Sequence, residues 1–165
     1  MVKKLLLAIF IALPTLSFAQ KFGIVNTQTI MQELPDVKDA QTQLETASKK
    51  YDEEFKNLQT EMQKKYEEFQ KAQEEKAPQT ILDRRTSELQ ELDQKIQQFR
   101  QTAAQDLERQ QQQLLAPIQQ KVINAINSVG AEGNYTFIFE NTSPVYVGKD
   151  VTDITTAVKG KLGLK

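Results

Sequence analysis

The sequence predicts a mainly α-helical protein with a small β body, in which a long antiparallel helical hairpin is attached to a small β-sheet. Between Asp36 and Val129 nearly every residue is a helix former, and apolar side chains recur at alternating spacings of three and four residues. Pro78 divides this stretch into two arms, and short strand-like segments flank it on both sides. We therefore expect a hairpin arm over residues 36–129 with its tip near 77–79, and a body formed by residues 20–35 and 130–165.

Apolar rows on the two arms predict how the arms pack against each other. The rows of the first arm are Tyr51, Leu58, Lys65 and Phe55, Met62, Phe69; those of the second arm are Leu82, Leu89, Ile96, Ala103 and Arg85, Leu92, Phe99. A reversal at Pro78 places Phe69 near Leu89, Met62 near Ile96 and Leu58 near Phe99. The two seams thus meet in register.

The first 19 residues have the organisation of a signal peptide. Lys3 and Lys4 form a positive start, Leu5 to Leu16 an apolar core, and Ser17-Phe18-Ala19 a small-x-small cleavage site. A membrane-spanning helix needs about 20 apolar residues, and this run is shorter and contains Pro14. We expect cleavage after Ala19, a mature chain that begins at Gln20 and no stable membrane insertion.

The elements that lead into the hairpin follow from local signals. Residues 21–26 predict a strand, and Thr29 to Leu34 a brief helix that ends at Pro35. Asp36 is the expected N-cap of the first arm, which runs to Lys76. Thr80 is the expected cap of the return helix.

The return helix carries two irregularities. Its apolar stripe shifts after Leu107, which indicates local unwinding of a supercoil. Pro117 lies inside the helical pattern and predicts a kink. We expect the helix to end across Gly130 to Gly133.

The last part of the chain predicts the rest of the β body. A strand is expected over residues 135–140 and a second one over Val145-Tyr146-Val147, with a closing helix from Asp153 to Leu162 capped by Thr152. About 50 residues make a core too small to be comfortably self-sufficient, so we expect self-association through this body.

The amino-acid composition argues against several classes of function. The chain has no His, Cys or Trp, which leaves no imidazole base, thiolate nucleophile or Cys/His metal site. No phosphate-binding loop G-x-x-x-x-G-K-[ST] occurs. Without the signal peptide the charges are 19 basic against 22 acidic, so no general attraction to nucleic acid is expected. The sequence predicts neither an enzyme nor a cofactor or metal site.

The apolar side chains of the arms can be interpreted in two ways. Packing between the arms explains most of them, whereas a hairpin only two helices thick also leaves apolar surface for a partner. Tyr66 flanks the seam and is the best candidate for an exposed contact. The candidates for contact with a bound partner are Tyr51, Phe55, Met62, Tyr66, Phe69 and Phe99.

The mature chain resembles the Skp/OmpH family of periplasmic chaperones for outer-membrane proteins. The resemblance rests on the opening Phe22-Gly23-Ile24-Val25-Asn26 to Leu34-Pro35, the charged hairpin, and an ending that runs from Val145 to Thr155 through Asp153-Ile154-Thr155. It implies a periplasmic homotrimer whose hairpins surround a cavity that holds unfolded outer-membrane proteins without nucleotide. By position, the oligomerisation hub would include Phe22, Ile24, Val25, Phe137, Ile138 and Phe139.

Two further points accompany the resemblance. The best-known family members are strongly basic, whereas this mature chain is slightly acidic, so apolar contact must carry more of the client binding.

The alternative to a chaperone is a structural envelope coiled coil, a spacer or scaffold with one fixed partner. Such a protein would have a dry, continuous seam and a recognition tip. Lys65, Arg85 and Asp106 interrupt the seam rows, and this favours a compliant arm.

Overall fold

The computed structural model describes residues 20–164 and confirms the predicted fold class, with two long helices and a small three-stranded sheet. The predicted signal peptide lies outside the described residues. The elements in chain order are β1 (Phe22–Val25), α1 (Thr27–Glu33), α2 (Pro35–Glu74), α3 (Gln79–Glu132), β2 (Phe137–Glu140), β3 (Thr152–Asp153) and α4 (Thr155–Lys161). The chain divides into two compact units, one made of residues 20–27 and Ala125–Gly163 and the other of Gln28–Asn124.

The unit Gln28–Asn124 contains the two arms. Helix α2 has 40 residues, a length of about 60 Å, and α3 has 54 residues, about 80 Å. Between them, Lys76 adopts a left-handed backbone with φ 53°, and the amide of Ala77 donates to the carbonyl of Ala72 over 3.0 Å. The amide of Ile81 donates to the carbonyl of Pro78 over 2.8 Å and so starts the return helix.

An apolar cluster in the middle of the hairpin joins the two arms. Leu58 of α2 and Leu92 and Ile96 of α3 are buried, and the partly buried side chains packed against them are Phe55, Met62 and Phe99. Met62 and Ile96, and also Leu58 and Phe99, which the seam pattern placed near each other, therefore belong to one cluster. The ring of Tyr51 meets that of Phe99 edge to face, with 6.0 Å between centroids.

The other unit contains a parallel sheet with the strand order β2-β1-β3. Phe22 lies beside Phe137 and Ile24 beside Phe139, while Gly23 lies beside Thr152 on the opposite edge of β1. Because β1 and β2 are parallel neighbours, the whole hairpin forms the connection between them. Within this unit the most buried side chains include those of Val25, Ile154 and Val158.

Two glycines leave room for the ring of Tyr135 beside the sheet. A Cβ atom on Gly23 would lie 3.2 Å from the ring of Tyr135, and one on Gly133 would lie 2.3 Å from it. Lys21 completes this contact, because its ammonium lies 4.1 Å from the centre of the same ring and donates to the carbonyl of Gly133. The end of α3 is thereby held beside the start of β1.

The second C-terminal strand was predicted in the wrong place. Val145-Tyr146-Val147 has no strand conformation, and the third strand is instead Thr152–Asp153, which pairs with β1. β propensity identifies a segment suited to a sheet, but a strand also needs a neighbour with free backbone groups. Within residues 20–164, no such neighbour reaches Val145 to Val147.

The expected N-caps were also wrong at three helices. Pro35 occupies the first turn of α2 and Leu34 the cap position, because proline lacks the amide that would otherwise stay unbonded there. Thr80 lies inside α3, which already begins at Gln79. Helix α4 begins at Thr155, whose amide donates to the carboxylate of Asp153 over 2.8 Å, so Thr152 is not its cap.

Helix α1 differs at its start from the sequence expectation, whereas α3 ends at Glu132, within the expected range Gly130 to Gly133. Helix α1 begins two residues earlier than expected, at Thr27, whose amide donates to the carboxylate of Glu140 over 3.0 Å. Helix α3 includes Gly130 and runs to Glu132, and Pro117 lies inside it as expected. The kink at Pro117 and the unwinding near Leu107 stay predictions.

Within residues 20–164, none of the helices is both long and apolar enough to cross a membrane.

Candidate functional site

One face of the small sheet is an exposed aromatic surface. The parallel register places Phe22, Ile24, Phe137 and Phe139 on the same face, which we call the outer face. The rings of Phe22 and Phe137 stack with centroids 6.3 Å apart, and those of Phe137 and Phe139 with centroids 6.0 Å apart. Phe137 is 57% exposed and Phe139 is 44% exposed. An apolar surface of this kind indicates a contact with another molecule.

The other two residues predicted for the hub lie on the opposite face of the sheet. Val25 is 3% exposed and belongs to the core of its own chain. Ile138 packs toward the end of α3, where a Cβ atom on Gly130 would lie 3.0 Å from its side chain. The six predicted hub residues thus form two sets, four on the outer face and two that support the sheet from behind. Strict alternation along β1 and β2 is the signal that would have separated them.

The predicted contact residues of the arms line two grooves. Tyr51, Phe55 and Phe99 line a groove of about 260 Å³, which we call the aromatic groove, together with Ala103, Ala104 and Leu107. Met62 and Tyr66 line a second groove of about 480 Å³ with Leu89. Phe69, the sixth candidate, is half-buried farther along α2. The arms therefore present apolar surface in several separate places.

Tyr66 is the most accessible of the six candidates. Its side chain is 48% exposed, whereas Tyr51, Phe55, Met62, Phe69 and Phe99 are half-buried. The side chains of Tyr51, Phe55, Met62 and Phe99 contribute both to the packing between the arms and to the walls of the grooves. Packing and partner contact are therefore compatible interpretations of the same residues.

Polar contacts across the hairpin were not foreseen from the sequence. The ammonium of Lys65 donates to Glu88 over 2.9 Å, Arg85 pairs with Glu68, and the hydroxyl of Tyr51 donates to Asp106. Nearer the ends of the arms, Lys121 pairs with Asp36 over 2.7 Å. The polar residues that interrupt the seam rows thus have partners on the facing helix. Because these polar side chains are paired across the hairpin, their presence in the seam rows does not by itself make the hairpin compliant.

Glu88 is paired with three cationic side chains in this arrangement, those of Lys65, Arg84 and Arg85. The hydrogen bond from Lys65 holds the pKa of Glu88 below its ordinary value, and the charges of Lys65, Arg85 and Arg84 act in the same direction, while partial burial opposes them. The folded hairpin therefore favours the ionised form of Glu88 over the protonated form.

The acidic side chains of the described residues can be compared with the arrangement that a metal site needs. Within residues 20–164, no group of three or more acidic side chains is arranged to hold a metal ion. The seam carboxylates Glu88, Glu68 and Asp106 are engaged by lysine, arginine and tyrosine.

Long helical arms with apolar grooves, together with a small sheet that has an exposed aromatic face, are features that favour a protein that binds other chains. The chain matches the model of the family described as outer membrane protein (OmpH-like) over residues 21–162, and it belongs to that family. At the level of the family this supports a periplasmic chaperone of outer-membrane proteins rather than an enzyme. No curated protein is significantly similar to the chain.

Proposed function

We propose that this protein is an ATP-independent holdase that binds unfolded outer-membrane proteins in the periplasm and prevents their aggregation. The observation that carries the proposal is the pair of apolar grooves on arms about 60 Å or more in length. An unfolded client offers scattered apolar segments rather than one fixed epitope. Separate weak contacts along an arm suit such a client, because their effects combine through a high effective concentration.

Self-association through the sheet is the second part of the proposal. Three copies joined by their outer faces would remove Phe137 and Phe139 from water and bring three hairpins together around a shared space. Clients would be held in that space, as the family resemblance implies. The association would also compensate for the small core of the body, since a unit of this size buries little apolar surface by itself.

A structural envelope scaffold with one fixed partner remains the competing function. A scaffold would concentrate its affinity in a few residues of one patch, as specific interfaces do. The six candidate residues instead lie in two grooves and at Phe69, spread along the arms. This spread favours the holdase.

The test is an aggregation assay on a chemically unfolded outer-membrane barrel protein, followed by light scattering after dilution. The purified mature chain should suppress aggregation, and the suppression should be unchanged by ATP, by magnesium or by a metal chelator. The matched control is a soluble helical hairpin protein of similar charge. Scattering that is equal with and without the chain would reject the holdase.

A further inference from the structure

The side of α3 that faces away from the seam carries a row of glutamines. Five of them follow one another three or four residues apart and so share one face of the helix. We call them the amide row; they are Gln90, Gln94, Gln97, Gln101 and Gln105. Leu92, a buried seam residue, follows Gln90 by two positions, which is about 200° round the helix. The row therefore lies opposite the seam, and all five side chains are exposed.

The amide row has neither charge nor a partner in its own chain. Within residues 20–164, none of the five side-chain amides makes a hydrogen bond. The side of α2 that faces away from the seam is also exposed, but it is mostly charged, with the residues Glu53, Lys56, Thr60, Lys64 and Glu67. A charged face is sufficient to keep a helix in water. Solvation alone therefore does not explain why α3 carries amides where α2 carries charges.

The amide row borders one of the two apolar grooves. Gln90 and Gln94 line the groove of about 480 Å³ together with Met62, Tyr66 and Leu89. Polar amides thus lie beside an apolar surface that both arms form. A ligand that contacts both needs hydrogen-bonding groups and apolar side chains close together along its length.

The spacing of the amide row suits an extended polypeptide. Neighbouring glutamines are about 4.5 or 6 Å apart along the helix axis, at roughly 1.5 Å per residue. In an extended chain, peptide groups that point to the same side recur about every 6.7 Å. Each glutamine offers a carbonyl acceptor and an amide donor, the two kinds of group that a peptide bond carries. Its flexible side chain can take up the remaining difference in spacing.

We propose that the amide row binds the main chain of an extended, unfolded polypeptide. This inference rests on the proposed holdase function and names the part of the client that the arm recognises. The peptide groups of the client pair with the glutamines, while its apolar side chains enter the adjoining groove. Main-chain groups are the same in every sequence, so one surface serves clients with unrelated sequences.

The occupant is an unfolded chain because only such a chain offers a continuous series of free peptide groups. In a folded protein, roughly nine-tenths or more of the buried backbone groups are already paired. Nucleic acids and anionic lipids require basic side chains, and the amide row has none. A client that folds pairs its own main chain and thereby leaves the row without an energy source.

Alanine substitutions test the amide row in the full mature chain. The α3 variant carries Gln90→Ala, Gln94→Ala, Gln97→Ala, Gln101→Ala and Gln105→Ala. These changes keep the net charge and favour the helix. With an unfolded outer-membrane barrel protein as the probe, the α3 variant should bind about tenfold more weakly than the wild type. The loss should be the same at low and high salt, because the row is uncharged.

The matched control places the same number of alanines on the exposed side of the other arm. The α2 variant carries Glu53→Ala, Lys56→Ala, Thr60→Ala, Lys64→Ala and Glu67→Ala. Two acidic and two basic residues are removed, so the net charge is again unchanged. This variant should bind the probe within about twofold of the wild type, since it retains the amide row and both grooves.

N-methylated peptides test whether the main chain is recognised. Two peptides have the sequence of one strand of the barrel protein, and one of them is N-methylated at alternate amides, which removes those donors. The ordinary peptide should displace the unfolded barrel protein from the wild type at a lower concentration than the methylated one. This advantage should shrink for the α3 variant. Equal competition by the two peptides, or competition by neither, would overturn the proposal.

The outcomes separate the amide row from the holdase function. Unchanged affinity in the α3 variant, or an equal loss in the α2 variant, would overturn the role of the row and leave the holdase in place. A lower sedimenting mass for the α3 variant would show that the row joins copies of the chain instead, and would also overturn it. A wild-type chain that does not bind the unfolded barrel protein would overturn both.

Discussion

Replacing Leu58 with alanine should measure how much the middle of the hairpin stabilises the arms. Leu58 is 3% exposed and packs with Leu92 and Ile96. Three carbon groups are lost, which costs about 2.4 kcal/mol at roughly 0.8 kcal/mol for each buried methylene. A cavity adds to this cost, but a hairpin two helices thick can partly close around it. We expect a total of about 3 kcal/mol, in the lower half of the usual range for such changes.

Thermal unfolding followed by far-ultraviolet circular dichroism gives the corresponding measurement. A loss of about 3 kcal/mol in a unit of this size lowers Tm by about 12 °C. Leu58→Met is the matched control, because it keeps most of the volume and should lower Tm by no more than a few degrees. Equal and small shifts for both variants would show that the cluster around Leu58 does not hold the arms together.

Three further changes test the seam, the body and the grooves. Because the pKa of Glu88 is lowered in the folded hairpin, its carboxylate stabilises the fold above the ordinary value of 4.5, and this contribution is lost as the pH falls through the folded pKa. Glu88→Gln should therefore reduce the loss of Tm on acidification below that value. Glu53→Gln, at an exposed position, should behave as wild type. Identical pH profiles of Tm for Glu88→Gln and wild type would contradict the stabilising role of the Glu88 carboxylate. Phe139→Asp should dissociate the proposed assembly in sedimentation experiments without loss of helicity, because Phe139 lies on the outer face. Ala157→Asp, at an exposed position of α4, should not dissociate it; an unchanged sedimenting mass for Phe139→Asp would refute the role of Phe139. Tyr66→Ala should weaken holding of an unfolded barrel protein only about twofold, since many contacts share the binding; a loss of a hundredfold would favour a scaffold with one docking patch.

The long helices could be read from the sequence because their signals are local. Heptad spacing and the proline at 78 predict two arms, and the cluster of Leu58, Leu92 and Ile96 follows from the apolar rows. The polar pairs that accompany this register, such as Lys65 with Glu88, could not be predicted, because the many other charges of each arm give no local sign of which residue will face which.

The β body was harder to predict because strands depend on neighbours. Val145 to Val147 have the composition of a strand, but within residues 20–164 they pair with no other strand. Thr152–Asp153 is only two residues long and includes an aspartate, a residue depleted in strands, yet it lies beside Gly23 and Ile24 and completes the sheet. The predicted N-caps were wrong for another reason. Pro35 and Asp36 are both sequence signals for the start of a helix, and the helix begins with the proline at its first position.

The central claim is that the arms hold the client and the sheet only assembles the copies. The most direct test replaces residues 55–99 with a short Gly-Ser turn, which keeps the contacts of Tyr51 with Asp106 and of Asp36 with Lys121. The affinity of this variant for an unfolded outer-membrane barrel protein is then compared with that of the full mature chain, with sedimentation as the check on assembly. We predict an assembled protein that no longer binds the client. Undiminished binding by the shortened, assembled variant would contradict the account.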